Sequence, residues 1–303
     1  MEKLDRKTLC KHQSITLKEL AELASKYPLA IVGGVQRGKT TLMKHIVREM
    51  TELDNIKIRV WDSSVKWLFE SPATKAYVVP QPSIVIYRGN KAVSYECSPQ
   101  ISDEELTRIL EDRCIVFDIS ELDDIEYERE FQKRVIHCDK EYLIKLAKQN
   151  KGEITERIVH VTEEAQGSFT SNSLRQKQNL WLAKVISVGA NYGLNFHIVT
   201  RRPSEVSTQV FEHTSVKCIA QTNQPNDIRK LKTVFSWETV EDIKKLRLGE
   251  FVVLTSKGTF HYQSTIYRDK IPQIYEYRAM QEQGKISKLK TLAKKLLRKI
   301  FRG

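Results

Sequence analysis

The sequence predicts an α/β protein with a doubly wound, mostly parallel sheet and helices on both faces. Short apolar runs alternate with stretches whose apolar residues recur at helical spacing, a pattern typical of strands joined by crossover helices. A glycine loop from Gly33 to Thr40 lies between one such run and one such stretch. The 303 residues suffice for one large domain or two small ones.

Local patterns place the elements in chain order. Short apolar runs predict buried strands, and longer stretches with apolar residues three or four apart predict helices. Alternating runs separated by turn residues predict hairpins. The strands are predicted at 29–32, 56–62, 114–120, 158–161, 195–200 and 216–222, the hairpins at 83–97 and 249–265, and the helices at 17–27, 103–113, 125–148 and 175–193.

Composition is typical of a soluble, cytoplasmic protein. Hydrophobic residues make up 40% of the chain and charged residues 29%. The sequence has neither an apolar run long enough to span a membrane nor the apolar core of a signal peptide near its first residue. Five scattered cysteines without a CxxC pair argue against a disulfide framework or a zinc site, and for a reducing compartment.

The net charge of +12 is concentrated at the C-terminus. From Lys285 onward the chain has eight Lys or Arg and no acidic residue, which leaves 42 basic and 38 acidic residues in the body. The apolar residues of this basic tail follow helical spacing, so it is predicted to be an amphipathic helix. Four roles remain open: a grip on DNA phosphates, an interfacial membrane helix, a helix that docks on a partner, and a solvated helix packed on its own domain.

The glycine loop fits the phosphate-binding P-loop pattern GxxxxGK[ST]. Glycines let the backbone curl so that N–H groups point at phosphate oxygens, and the following helix N-terminus adds partial positive charge. Lys39 is expected to reach the β- and γ-phosphates, and the Thr40 hydroxyl to ligate Mg²⁺. The predicted nucleotide-binding residues are Gly33, Gly34, Val35, Gln36, Arg37, Gly38, Lys39, Thr40 and Thr41.

Two further strand ends carry candidate catalytic groups. Glu163 and Glu164 follow an apolar strand, so Glu163 is predicted to bind the metal and Glu164 to activate the attacking water. Asp118 and Asp62 also end apolar strands and are rival metal ligands. Arg201 follows the next strand, where a cation can sense the γ-phosphate and stabilise transferring charge, although a surface arginine that contacts DNA is an alternative.

The order of these segments resembles the HerA/FtsK superfamily of DNA-pumping P-loop ATPases. The resemblance rests on "GGVQRGKTT", "VWDSS", "CIVFDISEL", "VTEEAQ", "GANYGLNFHIVTRRPSEV" and "NDIRKL" with "LRLGEFVV", and runs from about Pro28 to about Ile266. It implies a RecA-like ATPase that uses ATP and Mg²⁺ and forms a ring, usually a hexamer, around double-stranded DNA. The implied organisation is a helical lead-in at 1–27, the ATPase domain at 28–270 and the basic tail at 271–303.

Three residues depart from the family pattern. Glu163 stands where the family has aspartate, Arg201 where it has glutamine, and Ala190 where it has arginine. Arginine can only donate hydrogen bonds, whereas glutamine can also position a water molecule. These changes place the hydrolysis rate in doubt more than nucleotide binding.

The main functional hypothesis is an ATP-dependent double-stranded DNA translocase, of the kind that packages viral genomes or transfers plasmids. Such a motor works in the host cytoplasm or in a virion, and the tail could contact a nuclease, a portal or a membrane. The alternative is a nucleotide-dependent binding or assembly protein with weak or no ATPase activity. A small-molecule kinase is disfavoured, because the chain shows no lid with clustered arginines.

Overall fold

The computed structural model describes residues 13–62, 75–78, 85–86, 102–118, 125–163 and 184–264, with backbone alone at 75–78, 85–86, 118 and 125–127. These residues form one sheet of eleven strands in the order β1-β11-β10-β9-β2-β8-β7-β3-β6-β4-β5. The strands are β1 (Gln13–Ser14), β2 (Leu29–Val32), β3 (Ile56–Asp62), β4 (Lys75–Val78), β5 (Val85–Ile86), β6 (Cys114–Asp118), β7 (Arg157–Thr162), β8 (Leu194–Thr200), β9 (Val216–Ile219), β10 (Glu250–Thr255) and β11 (Gly258–Gln263).

The centre of the sheet is parallel. From β9 through β2, β8, β7, β3 and β6 to β4, every neighbouring pair runs in the same direction. The antiparallel pairs lie towards the two edges, where β10 joins β9 and β11, and β5 joins β4. The predicted mostly parallel α/β fold is therefore confirmed.

Helices connect the strands. Among the described residues they are α1 (Leu17–Lys26), α2 (Lys39–Thr51), α3 (Asp103–Ile109), α4 (Ile125–Gln149), α5 (helical at 184–189), α6 (Thr208–His213), α7 (Pro225–Leu231) and α8 (Trp237–Lys245). α1 begins with a capping box, because the Thr16 hydroxyl accepts from Glu19 N and the Glu19 carboxylate accepts from Thr16 N. No helix in these segments has both the length and the apolar character needed to cross a membrane.

The core has a separate layer on each face of the sheet. Alternate residues of β2, β7 and β8, among them Ile31, Val161 and Val199, pack with α1 and α2. The intervening residues, among them Ala30, Ile158 and Ile198, pack with α4, α5, α6 and α8. Because neighbouring residues on a strand point to opposite faces, this division tells which side of the sheet any strand-end residue lies on.

Most predicted elements agree with the structure to within a few residues, but two regions differ. The hairpin predicted at 83–97 lies almost wholly outside the described residues, so it stays a prediction; within the described part, Val85–Ile86 pairs with Tyr77–Val78, a strand that the sequence did not predict. The lead-in was predicted as a helix alone, yet Gln13–Ser14 also adds a strand beside β11. Both β4 and β1 are too short to show the alternation of apolar and polar residues that predicts a strand.

A buried ionic group connects α4 to the sheet. Arg59 Nε lies 3.3 Å from Asp139 Oδ2, and His160 Nε2 lies 3.1 Å from the same oxygen. Trp61 Nε1 donates to His160 Nδ1, so the imidazole accepts at Nδ1 and is neutral. Burial lowers the pKa of His160. Burial alone would raise the pKa of Asp139, but Arg59 and His160 outweigh it and hold that pKa below its usual range.

A tight turn leads into β8. Residues Ala190–Tyr192 form one turn of 3-10 helix, and Gly193 follows with φ 96°. A Cβ on Gly193 would stand 2.6 Å from the Glu156 carbonyl oxygen, so both the backbone angle and the space require glycine. This turn lies at the amino end of β8, so Ala190 is at the opposite edge of the sheet from the loop after β2.

Candidate nucleotide-binding site

The glycine loop connects β2 to α2 as the motif requires. Gly33 has φ 146°, Gly38 has φ 85° and Gln36 has φ 56°, so the backbone turns sharply before α2 begins at Lys39. A Cβ on Gly33 would lie 2.7 Å from the Ala220 Cβ, which means that glycine is needed for the loop to pass the end of β9. The loop therefore has the curled backbone and the helix N-terminus of an anion-binding site.

The polar side chains of the motif stand at the start of α2. Lys39 Nζ donates to the Gly34 carbonyl at 2.6 Å, so its ammonium lies across the inside of the loop. Lys39, Thr40 and Thr41 are half-buried, whereas Val35 and Gln36 at the tip of the loop are exposed. The cation and the first-turn threonines of α2 therefore stand at the end of the helix where phosphates would bind.

Glu163 lies at the same edge of the sheet as this loop. β2 and β7 run parallel with β8 between them, and Ala30 and Thr162 are both in register with Ile198. Glu163 is therefore level with Ile31, two strand spacings or about 10 Å away in backbone position. Its side chain is 4% exposed.

Asp62 is the direct neighbour of Glu163. Trp61 is in register with Thr162, and Glu163 N lies 3.5 Å from the Trp61 carbonyl oxygen. Asp62 and Glu163 therefore lie side by side at the ends of adjacent strands. Asp62 is fully buried. By the alternation of the strands, Asp62 and Glu163 both lie on the α1 and α2 face, the side on which the P-loop helix packs.

These donors suit a magnesium ion. Mg²⁺ prefers oxygen ligands. This edge of the sheet carries two buried carboxylates, Glu163 and Asp62, on the face against which α2 packs, and Thr40 lies in the first turn of α2. Of the rival acids, Asp118 has its backbone in register with Asp62, which places it one strand farther from the loop. Glu164, the predicted base, lies outside the described residues.

Arg201 stands between the loop and Glu163 in strand order. It follows Thr200, the last residue of β8, which is in register with Val32. Its side chain is exposed, and Arg202 next to it is paired with Glu205 at 2.9 Å. A residue in this position can face a γ-phosphate held between β2 and β7.

The segment after Arg201 is held by a buried aspartate that the sequence analysis did not identify. Asp227 Oδ1, on α7, accepts from the backbone N–H of Ser204 at 3.1 Å and from its hydroxyl at 2.6 Å. Thr222 lies 3.4 Å from the other oxygen, and Asp227 is 1% exposed. The motif "NDIRKL" contained this residue, but a sequence offers no sign that its partner is Ser204.

Gln221 is a second residue that was missed. Its carbonyl accepts from Gly34 N at 2.8 Å, and its side-chain amide donates to the Lys244 carbonyl at 2.8 Å. Gln221 thus holds the P-loop to the C-terminus of α8. The basic tail, predicted as a DNA or partner contact, lies outside the described residues.

No family model matches this sequence. The chain is 25% identical over 125 residues to the probable DNA double-strand break repair helicase HerA of Methanocaldococcus jannaschii, a match that covers 40% of this chain and 24% of that protein. A shorter match, 25% over 91 residues, is to the probable helicase MJECL08 of the same organism and covers 18% of it. The chain thus spans a quarter or less of the curated relatives that it matches.

Solved structures agree in fold. The genome packaging NTPase B204 of Sulfolobus turreted icosahedral virus 2 has a TM-score of 0.54 at 15% identity, covering 80% of this chain and 99% of that one. VirB4 of Thermoanaerobacter pseudethanolicus has a TM-score of 0.53 at 9% identity, covering 80% and 90%. Taken with the sequence match to HerA, this shared fold confirms the resemblance to the HerA/FtsK type of P-loop ATPase.

The pCW3 conjugation coupling protein TcpA, solved with an ATP analogue, is similar at the same level. Its TM-score is 0.50 at 13% identity, over 88% of this chain and 70% of that one. B204 has also been solved with ATP-gammaS and with AMPPCP. At these identities the structures show a shared fold, so the roles of individual residues in this chain depend on its own geometry.

Proposed function

We propose that this protein binds ATP with Mg²⁺ and hydrolyses it to move double-stranded DNA. The observation that carries the proposal is the convergence of three segments at one sheet edge: the loop before Lys39, the carboxylates Glu163 and Asp62, and Arg201 on the strand between them. The similarity to HerA and to the packaging NTPase B204 supports DNA as the substrate of the motor.

The residues divide the work by position. The backbone N–H groups of the loop and the Lys39 ammonium bind phosphate oxygens, and Thr40 with Glu163 or Asp62 holds the metal ion. A bound Mg²⁺ supplies charge that stabilises the phosphoryl oxygens. Glu164 accepts the proton of the attacking water, and Arg201 donates to the γ-phosphate as charge develops.

The decisive experiment measures ATP hydrolysis by the purified protein with and without duplex DNA. A translocase should hydrolyse ATP faster when DNA is present, and the stimulation should fall as salt rises, because phosphate contacts release counterions. If duplex DNA does not change the rate while ATP still binds, the motor proposal is wrong. The molecular mass measured with nucleotide tests whether the chain forms the ring that the family resemblance implies.

The second candidate is a nucleotide-dependent assembly protein with slow hydrolysis. Arg201 favours it, because an arginine cannot accept a hydrogen bond from the attacking water. An Arg201→Gln variant separates the candidates. A several-fold rise in turnover would mean that the wild-type site is tuned for slow hydrolysis, whereas a loss of turnover assigns Arg201 to charge stabilisation.

A further inference from the structure

The segment before β10 forms a tight turn, residues 247–250, here called the 247–250 turn. Glu250 N donates to the Arg247 carbonyl at 3.1 Å, and Gly249 between them has φ 82°. That backbone angle at the third residue of a turn favours glycine, and it leaves Leu248 at the corner. The Leu248 side chain is 43% exposed.

This turn lies against the P-loop. A Cβ on Gly38 would meet Gly249 Cα at 3.8 Å, ordinary van der Waals contact. A second connection runs through Gln221, which accepts from Gly34 N and donates to the Lys244 carbonyl just before the turn. The position of the turn relative to the phosphate loop is therefore held from two sides.

The turn lies on the side of the loop away from the carboxylates. In the sheet, β2 has β8 and then β7 on one side, where Glu163 lies, and β9 and then β10 on the other. A triphosphate whose γ-phosphate meets the metal near Glu163 must extend its α-phosphate in the opposite direction, past the first turn of α2. The nucleoside then leaves the loop beside Gly38, where the 247–250 turn stands.

We propose that the 247–250 turn binds the nucleoside of the nucleotide, with Leu248 packing against the base. Nucleotide sites combine a few placed polar groups with apolar contact surface, and the exposed Leu248 supplies that surface next to a loop that supplies the polar groups. This inference rests on the proposed nucleotide-binding function, since it requires a phosphate chain in the loop.

The test compares ATP with inorganic tripolyphosphate, which has the phosphate chain but no nucleoside. Both ligands are titrated with Mg²⁺ into the full chain by calorimetry. Leu248→Asp should weaken ATP binding by at least about tenfold, because burying a leucine contributes that much or more, and should leave tripolyphosphate binding unchanged. Lys39→Ala should weaken the binding of both ligands.

Val188→Asp is the matched control. Val188 is also 43% exposed, but it lies on α5, just before the turn at 190–193, which is at the opposite edge of the sheet from the P-loop. It should bind both ligands like the wild type. Leu248→Ala, which adds no charge, should weaken ATP binding in the same direction by a few fold and covers the case in which Leu248→Asp does not fold.

The outcomes distinguish a failure of this inference from a failure of the proposed nucleotide-binding function. Equal affinity for ATP in wild type and Leu248→Ala overturns the nucleoside contact but leaves the phosphate site in place. An equal loss of ATP and tripolyphosphate affinity in Leu248→Asp also overturns it, because the turn would then support the phosphate loop only. A wild-type protein that binds neither ligand overturns both proposals.

Discussion

Asp227 on α7 accepts both the backbone N–H and the hydroxyl of Ser204, the third residue after Arg201. This double contact fixes the segment that carries the sensor candidate; Asp227 is buried and Ser204 is half-buried. Ser204→Ala removes one charge-assisted hydrogen bond, so we expect the free energy of unfolding to fall by about 1.5–3 kcal/mol. Chemical denaturation at constant pH measures this change.

The same contact should affect turnover. Because the Ser204 loop positions Arg201, we expect Ser204→Ala to lower kcat more than it raises KM for ATP. A double-mutant cycle with Asp227→Asn shows whether the two residues act together. Strictly additive losses would mean that the loop is positioned by other contacts. Ser187→Ala, in which an exposed hydroxyl bonded to the Lys184 carbonyl is lost, serves as the control.

Lys39 is the residue on which we expect nucleotide binding to depend most. Replacing it with alanine removes the ammonium that lies across the loop, so we expect ATP affinity to fall by at least about tenfold, as for loss of a charge-assisted contact. Equilibrium binding of ATP measures the effect. Lys26→Ala, at the exposed end of α1, controls for the loss of one positive charge. If Lys39→Ala binds ATP with wild-type affinity, the loop is not part of the nucleotide-binding site.

The two buried carboxylates can be told apart. Glu163→Gln and Asp62→Asn each keep size while removing charge, and we expect Glu163→Gln to lose ATP hydrolysis by about 100-fold or more while it still binds ATP. Asp62→Asn should lose less, because Asp62 lies one strand farther from the loop. The reverse order of losses would assign the metal to Asp62. Single-turnover assays at saturating Mg²⁺ measure both.

Contiguous patterns explain how much of the structure could be predicted. β2, the loop after it and α2 follow one another in sequence, so one pattern contains the whole unit. β3 and β8 are rich in apolar residues and were predicted almost to the residue. Arg59 inside the apolar run of β3 was a signal that went unused, since a buried arginine needs a carboxylate partner.

What could not be predicted depends on contacts between distant segments. Asp139 pairs with Arg59 across 80 residues, and Gly34 is held by Gln221. Sheet order decides that Glu163 and Asp62 become neighbours while Asp118 is moved one strand away. No local pattern encodes that order, because it results from how the crossover helices pack on the two faces.

Gly193 and Gly152 form a matched pair for testing the turn before β8. Their φ angles are 96° and 93°, so alanine at either position is strained by about 1–2 kcal/mol. Only at Gly193 would the new Cβ clash, at 2.6 Å from the Glu156 carbonyl oxygen, whereas Gly152 has nothing within 4 Å. We expect Gly193→Ala to lower the free energy of unfolding by a further 1–3 kcal/mol or so, relative to Gly152→Ala, in denaturant titrations. Equal losses in the free energy of unfolding would show that the backbone at this turn shifts to make room for the new Cβ.

His197 should make the fold sensitive to acid. It is fully buried in β8, its Nδ1 accepts from Leu29 N at 3.3 Å, and burial lowers its pKa from 6.5 to about 4. The unfolded chain binds a proton near pH 6.5, whereas the folded chain does so only near pH 4. Stability from this group is therefore complete above pH 6.5 and is lost as the pH falls, by about 2 kcal/mol between pH 7 and pH 5.

The substitution His197→Asn keeps a hydrogen-bond acceptor but removes the titrating group. The substitution can change the free energy of unfolding at pH 7. The loss of stability between pH 7 and pH 5, however, should be smaller in His197→Asn than in the wild type by about 2 kcal/mol. Part of the acid sensitivity should remain, because burial also lowers the pKa of His160. His213→Asn, on the exposed end of α6, should keep the wild-type difference. If the pH dependence of His197→Asn is the same as that of the wild type, the folded protein binds a proton at His197 as readily as the unfolded chain does. That result would contradict the lowered pKa expected from its burial.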